Sequence, residues 1–124
     1  MSNIKVNCDS QIKRGDVISY DSDQNLYIKA NSFSKPIGVA LDDAITEESL
    51  DEVPVVSYFT RMKMQGQVYA TCSRDIPFEG GYMSIENGSV FVDNTNLHSC
   101  GVVWPNTRNS VQRVAGELVT ITLR

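Results

Sequence analysis

Histidine occurs once in the chain, at His98, and Cys100 follows two residues later. A thiol beside an imidazole is the minimum for nucleophilic catalysis, and this pair is the only place where the sequence offers it. The base of such a dyad normally comes from another element of the fold, whereas residues two apart in one strand share a face. The expectation is a loop histidine beside a buried cysteine, no catalytic residues and no enzyme. A small β-fold hydrolase would have to use this pair, and Cys100→Ser would then abolish its activity. A single histidine also excludes a metal centre built from several imidazoles.

Other chemical candidates are equally spare. Cys8, Cys72 and Cys100 are odd in number and widely spaced, so neither a disulfide framework nor a zinc motif is encoded, and free thiols are expected. Carboxylates gather at Asp42, Asp43, Glu47, Glu48, Asp51 and Glu52, without the alternation and central glycine of a calcium loop. They read as a solvated acidic surface that could meet a basic partner. Phe78 to Gly81 lacks the Lys and Ser/Thr of a phosphate-binding loop and reads as a tight turn. No cofactor and no metal are implied. Arg14, Gly15 and Asp16 spell the tripeptide that integrin ligands display, but Gly and Asp also form the turns that launch strands, here Val17 to Tyr20. The strand reading is preferred. Trp104, before Pro105, either caps a core or anchors a sugar or a protein, and Tyr58, Phe59 and Phe33 share that ambiguity.

What must position these residues is a β framework. The chain has 124 residues, 41% apolar and 21% charged, enough for one domain with its own core. Its net charge of −4 opposes nonspecific binding to nucleic acid. The opening run MSNIKVNCDS is too polar for a secretory signal, and no stretch approaches the length of a membrane span, so a soluble product is expected. Periodicity is of order two. From Met62, the even positions Met62, Met64, Val68, Ala70 and Cys72 are apolar, and Val119, Ile121 and Leu123 alternate with Thr120 and Thr122. Shorter runs cover Val17 to Tyr20, Leu26 to Ala30, Ile37 to Leu41, Val53 to Phe59, Tyr82 to Ile85, Ser89 to Val92 and Gly101 to Trp104. The fold class is all-β: a small barrel or sandwich of about ten short strands with minimal helix. The one helical expectation is a turn or two within Asp42 to Val53, capped by Thr46. Asn87 and Gly88 predict a two-residue hairpin turn.

The halves look alike. Gly15 and Gly81 each lead into strand, turn, strand, an Asn- and Ser-rich loop and a Gly-started apolar strand. Each half then closes with another Gly-started strand, GQVYATC from Gly66 and GELVTITL from Gly116. The expected organisation is an N-terminal arm, 1–10, followed by a single β domain, 11–124, with pseudo-repeats about 13–72 and 78–124.

Gly15, Asp16 and Val17, then Ala30, then Pro36, Ile37, Gly38, Val39 and Ala40 form a pattern that resembles the opening of capsid decoration, or cement, proteins of tailed bacteriophages. Gly66 to Ala70 fits the Gly-x-Val strand of the same family. The resemblance covers about a quarter of the chain. It implies a viral structural protein that binds the outer surface of the assembled capsid and stabilises it, as a homotrimer at or near threefold axes. The implied partner is the major capsid protein, with no nucleic acid and no membrane. The implied location is the virion's outer surface, after synthesis in the host cytoplasm. In that setting the arm would add a strand to a neighbouring subunit through Ile4 and Val6. Trimer contacts would fall at Asn31, Phe33 and Leu97. The alternative is a receptor- or carbohydrate-binding module of a fibre or spike, using Trp104, Tyr82 and nearby asparagines.

Overall fold

The computed structural model describes residues 3–31, 35–48, 56–96, 98–106 and 111–123. These residues form strands and turns and contain no helix. The strands are β1 (Asn3–Asn7), β2 (Val17–Asp21), β3 (Leu26–Lys29), β4 (Gly38–Ala40), β5 (Ile45–Glu48), β6 (Val56–Lys63), β7 (Val68–Thr71), β8 (Gly81–Glu86), β9 (Ser89–Val92), β10 (Gly101–Val103) and β11 (Leu118–Leu123). They make two antiparallel sheets arranged as a sandwich, ordered β1-β6-β4-β2-β3 and β7-β11-β10-β8-β9, with β5 alongside β6.

The sheets follow the same path. In each, a hairpin lies at one edge, the next strand returns beside it, a long strand follows, and the sheet's first strand pairs with that long strand at the far edge. Both ends touch: a parallel bridge joins Cys8 to Tyr27 in the first sheet and Cys72 to Val90 in the second. Each bridging cysteine is followed four residues later by a fully buried isoleucine, Ile12 or Ile76. Burial of these apolar side chains is what curls each sheet over its own contents.

Two clusters result. Val6, Cys8, Ile12, Ile18, Ala40 and Met62 fill the first sheet. The larger cluster fills the second with Val68, Ala70, Met83, Val103, Val119 and Ile121 among others, and extends to Val17, Ala30 and Val39 of the first. Backbone hydrogen bonds stitch the seam. Gly15 N–H donates to Ala40 O and Gly15 O accepts from Thr71 N–H, both at 2.9 Å. Val17 N–H donates to Gly88 O at 2.7 Å, and Gly88 N–H donates to Ala30 O at 2.8 Å. The hairpin turn is therefore a structural rung between the sheets. Asn87 and Gly88 both have positive φ, 47° and 82°, as a two-residue turn with matched twist demands.

Three expectations are corrected. Thr46 does not cap a helix; Ile45–Glu48 is a strand whose register with Phe59 to Val56 supplies the backbone partners a short isolated helix would lack. Residues 49–55 of that expected helix and the start of the Val53 run lie outside the described residues. The alternating run from Met62 is not one strand: it breaks at Gly66, φ 77°, and β7 pairs β11 in the second sheet rather than closing the first. The N-terminal segment is not a free arm. β1 pairs β6 throughout, with Ile4 opposite Met62 and Val6 opposite Thr60, and Val6 is buried in the core of its own sheet.

Candidate binding face on the second sheet

Inward residues of the second sheet are apolar, so its character is set by the residues between them. Tyr69 stands opposite Thr120, and Trp104 N–H donates to Thr120 O at 2.9 Å, which places Tyr69, Thr120 and Trp104 in one cross-strand row. Tyr82, Val102 and Thr122 form the adjacent row. Tyr69 is 58% exposed and Tyr82 39%. Strand spacing sets Tyr69 and Trp104 roughly 10 Å apart, and the diagonal from Trp104 to Tyr82 at roughly 7–8 Å. Three aromatic rings thus cross the outer face as a stripe, with threonines between them.

Trp104 is held at several points. Its indole Nε1–H donates to Thr122 Oγ1 at 2.8 Å, and its carbonyl accepts from Arg113 Nη1 at 2.7 Å. Arg113 is itself buried, its Nη2 donating to Pro77 O at 2.9 Å, while its Nε finds no partner among the described residues. A cleft of about 370 Å³ on one side of the stripe is lined by Glu79, Tyr82, Asn94, Val102, Trp104 and Pro105. Across Pro105 lies a second, of about 640 Å³, lined by Arg14, Tyr69, Val111, Leu118 and Thr120 among others. Asn94 Oδ1 accepts from Tyr82 N–H at 3.0 Å. Gly81 makes room for this, since a Cβ there would lie 2.3 Å from that oxygen.

The other candidates separate. His98 is exposed in the loop before β10, whereas Cys100 is partly buried against the larger core cluster. Burial, with the Asp9 charge adding, pushes the Cys8 thiol up to about 11, and burial also raises Cys72, so neither is a ready nucleophile. Among the described residues no cluster of His, Cys, Asp and Glu could hold a metal ion, and no helix is long and apolar enough to cross a membrane. Of the acidic cluster, Asp42, Asp43 and Glu47 have internal partners, and Asp51 and Glu52 lie outside the described residues. Asp42 takes a forked pair of hydrogen bonds from Arg61, which holds its carboxyl below the usual range; Asp43 accepts from Arg14 N–H at 2.9 Å; Glu47 pairs with Lys5.

Two of the three residues of the integrin-like tripeptide, Gly15 and Asp16, are buried, and only Arg14 is exposed. Asp16 is buried and accepts a hydrogen bond from Lys13 N–H at 2.8 Å, with Lys29 Nζ at 3.8 Å. Gly15, φ 89°, sits so close to the second sheet that a Cβ would lie 2.6 Å from Thr71 Oγ1. Ile4 is 45% exposed on β1, Asn31 is exposed after β3, and Phe33 and Leu97 lie outside the described residues. Tyr58 packs against the smaller cluster, and the Phe59 ring carries the Lys5 ammonium 4.7 Å from its centroid. Sequence reasoning named Trp104, Tyr82 and asparagine together, and the structure brings them to one cleft; it missed Tyr69 and Leu118.

No family model matches the sequence, and no curated protein matches it either. The crystal structure of the head fiber gp8.5 N base in bacteriophage phi29 does match in three dimensions, with a TM-score of 0.66. The match covers 98% of this chain and 92% of that one, at 13% identity. The chain has the fold of a phage head-fiber base. A phage head protein, the class to which the Gly15 to Ala40 resemblance points, is thus built on this two-sheet plan.

Proposed function

We propose that the chain is a structural protein of a tailed-bacteriophage virion that binds the outer surface of the assembled capsid and stabilises it, as a homotrimer at or near threefold axes. The observation that carries this reading is the fold match to a head-fiber base over nearly the whole chain. The partner is the major capsid protein, and the protein acts without enzymatic activity, nucleic acid or membrane. Three modest contacts fixed on one trimer would bind with high effective concentration and cross-link neighbouring capsid subunits against internal pressure. Because β1 belongs to its own sheet, a capsid strand would add along the outer edge of β1, beside exposed Ile4, rather than receive a detached arm.

Cosedimentation of the purified protein with expanded heads that lack it tests the reading. Saturable binding at a fixed ratio per capsid subunit, and a trimer mass by light scattering, are the expected results. Absence of binding to any matured head overturns capsid attachment.

A further inference from the structure

We infer that the stripe Tyr82, Trp104 and Tyr69 is a binding site for an extended glycan chain, separate from the surface that meets the capsid. The pairing of the strands excludes peptide binding by strand addition at this site. β10 is paired on one side with β11 and on the other with β8, so no backbone edge is open at Trp104 for an added strand. Whatever lies there is held by side chains alone. Those side chains are an aromatic floor with polar groups at the rim: Glu79 and Asn94 by one cleft, Arg14 and Thr120 by the other. With its oxygen committed to Tyr82 N–H, Asn94 retains an amide NH₂ as donor, and Glu79 supplies an acceptor. A pyranose has the matching form, an apolar C–H face ringed by hydroxyls.

Rigidity adds to the match. The indole is fixed by Thr122, and the Trp104 backbone by Thr120 and Arg113, so little side-chain freedom is lost when a ring stacks on it. Both clefts fall in the size range of ligand sites, roughly 300–1,000 Å³. They adjoin at Pro105, and the aromatic rings on either side stand several ångströms apart, a spacing that suits successive sugars of a chain rather than one monosaccharide.

Trp104 is the only tryptophan, so its fluorescence reports the site directly. The test titrates the full chain with chitotriose, cellotriose and maltotriose and with their monosaccharides, up to concentrations about ten times a millimolar dissociation constant. At least one trisaccharide is expected to shift the Trp104 emission saturably and to bind about tenfold tighter than its monosaccharide. Tyr69→Ala should remove that length advantage, bringing the trisaccharide affinity down to about that of the monosaccharide. Tyr82→Ala should weaken both by about tenfold. Trp104→Phe, which keeps a ring, should retain binding measured by calorimetry, with matching urea midpoints confirming that the variants fold. Silence from every probe, or affinities that ignore all three substitutions, overturns the inference. So does loss of head binding in Tyr69→Ala and Trp104→Phe, which would make the stripe the capsid-docking face. Intact head binding with no sugar response would leave the capsid reading standing and remove this one.

Discussion

The two sheets share a path and differ in what they show to solvent. On the first, Arg61 is spent on Asp42 and Lys5 on Glu47, and Lys5 also caps the Phe59 ring. The second has a counterpart at its β8–β9 hairpin, where Arg74 pairs with Glu86 and covers the Phe91 ring, but across β7, β11, β10 and β8 Tyr69, Tyr82 and Leu118 remain substantially exposed around a pinned Trp104. The inward residues of both are interchangeable in kind, since Cys-x-x-x-Ile closes each sheet in the same way. The fold thus resides in the inward pattern, and individuality in the outward one. Charges spent on one another have little left to offer a ligand, whereas exposed aromatic rings set around a fixed indole offer apolar surface.

The largest effects should come from testing the equivalence itself. Ile12→Ala and Ile76→Ala each empty a fully buried site, and each should cost about 3 kcal/mol in urea unfolding. Similar losses would support two sheets closed by one device; a loss at Ile76 alone would break the comparison. Next is the seam. Gly15→Ala combines a positive φ with a contact of 2.6 Å to Thr71, and should cost about 2 kcal/mol or more by the same measurement. A neutral result would mean that the sheets are not held in register by this approach. A smaller effect follows from freeing the tryptophan. Thr122→Val removes the acceptor of the indole N–H, for about 1 kcal/mol, and should raise the mobility of Trp104 seen in fluorescence anisotropy.

Much of this was legible in the sequence, for reasons that are local. Asn87 and Gly88 announce positive φ, and Val119, Ile121 and Leu123 announce a strand, because turn chemistry and alternation act within a few residues. Thr46 misled because a hydroxyl followed by carboxylates is a good helix start, and what overrules it is Tyr58, its register partner twelve positions away in a neighbouring strand. The Met62 run misled differently: Met62 before Gly66 and Val68, Ala70 and Cys72 after it are all buried at even positions, so the alternation resumes in phase across a turn between two sheets, with exposed Met64 the one apolar even position that departs from it. The stripe was only half legible. Tyr69, Thr120 and Trp104 become neighbours through register, and register is not written in any one segment.

The smallest expected effect separates the buried carboxylate from the exposed ones. Asp42 and Glu86 are held below the usual carboxylate range chiefly by hydrogen bonds from Arg61 and Arg74. Their contributions are present above the unfolded-state values and fade as pH falls, which makes the acid limb of stability ordinary. Asp16 has the opposite sign. Burial at the seam raises it, against the Lys13 amide and the Lys29 charge, so the fold favours its protonated form. Its contribution is complete below the unfolded-state aspartate value near 4 and is lost as pH rises through the folded value. Asp16→Asn keeps an acceptor for Lys13 N–H and removes the titration. Relative to the parent protein, its unfolding free energy should therefore rise from strongly acidic to neutral pH. A difference that instead falls with pH would mean that Lys29, not burial, governs this carboxylate, and that the seam is held by a salt bridge like those on the outer face of the first sheet.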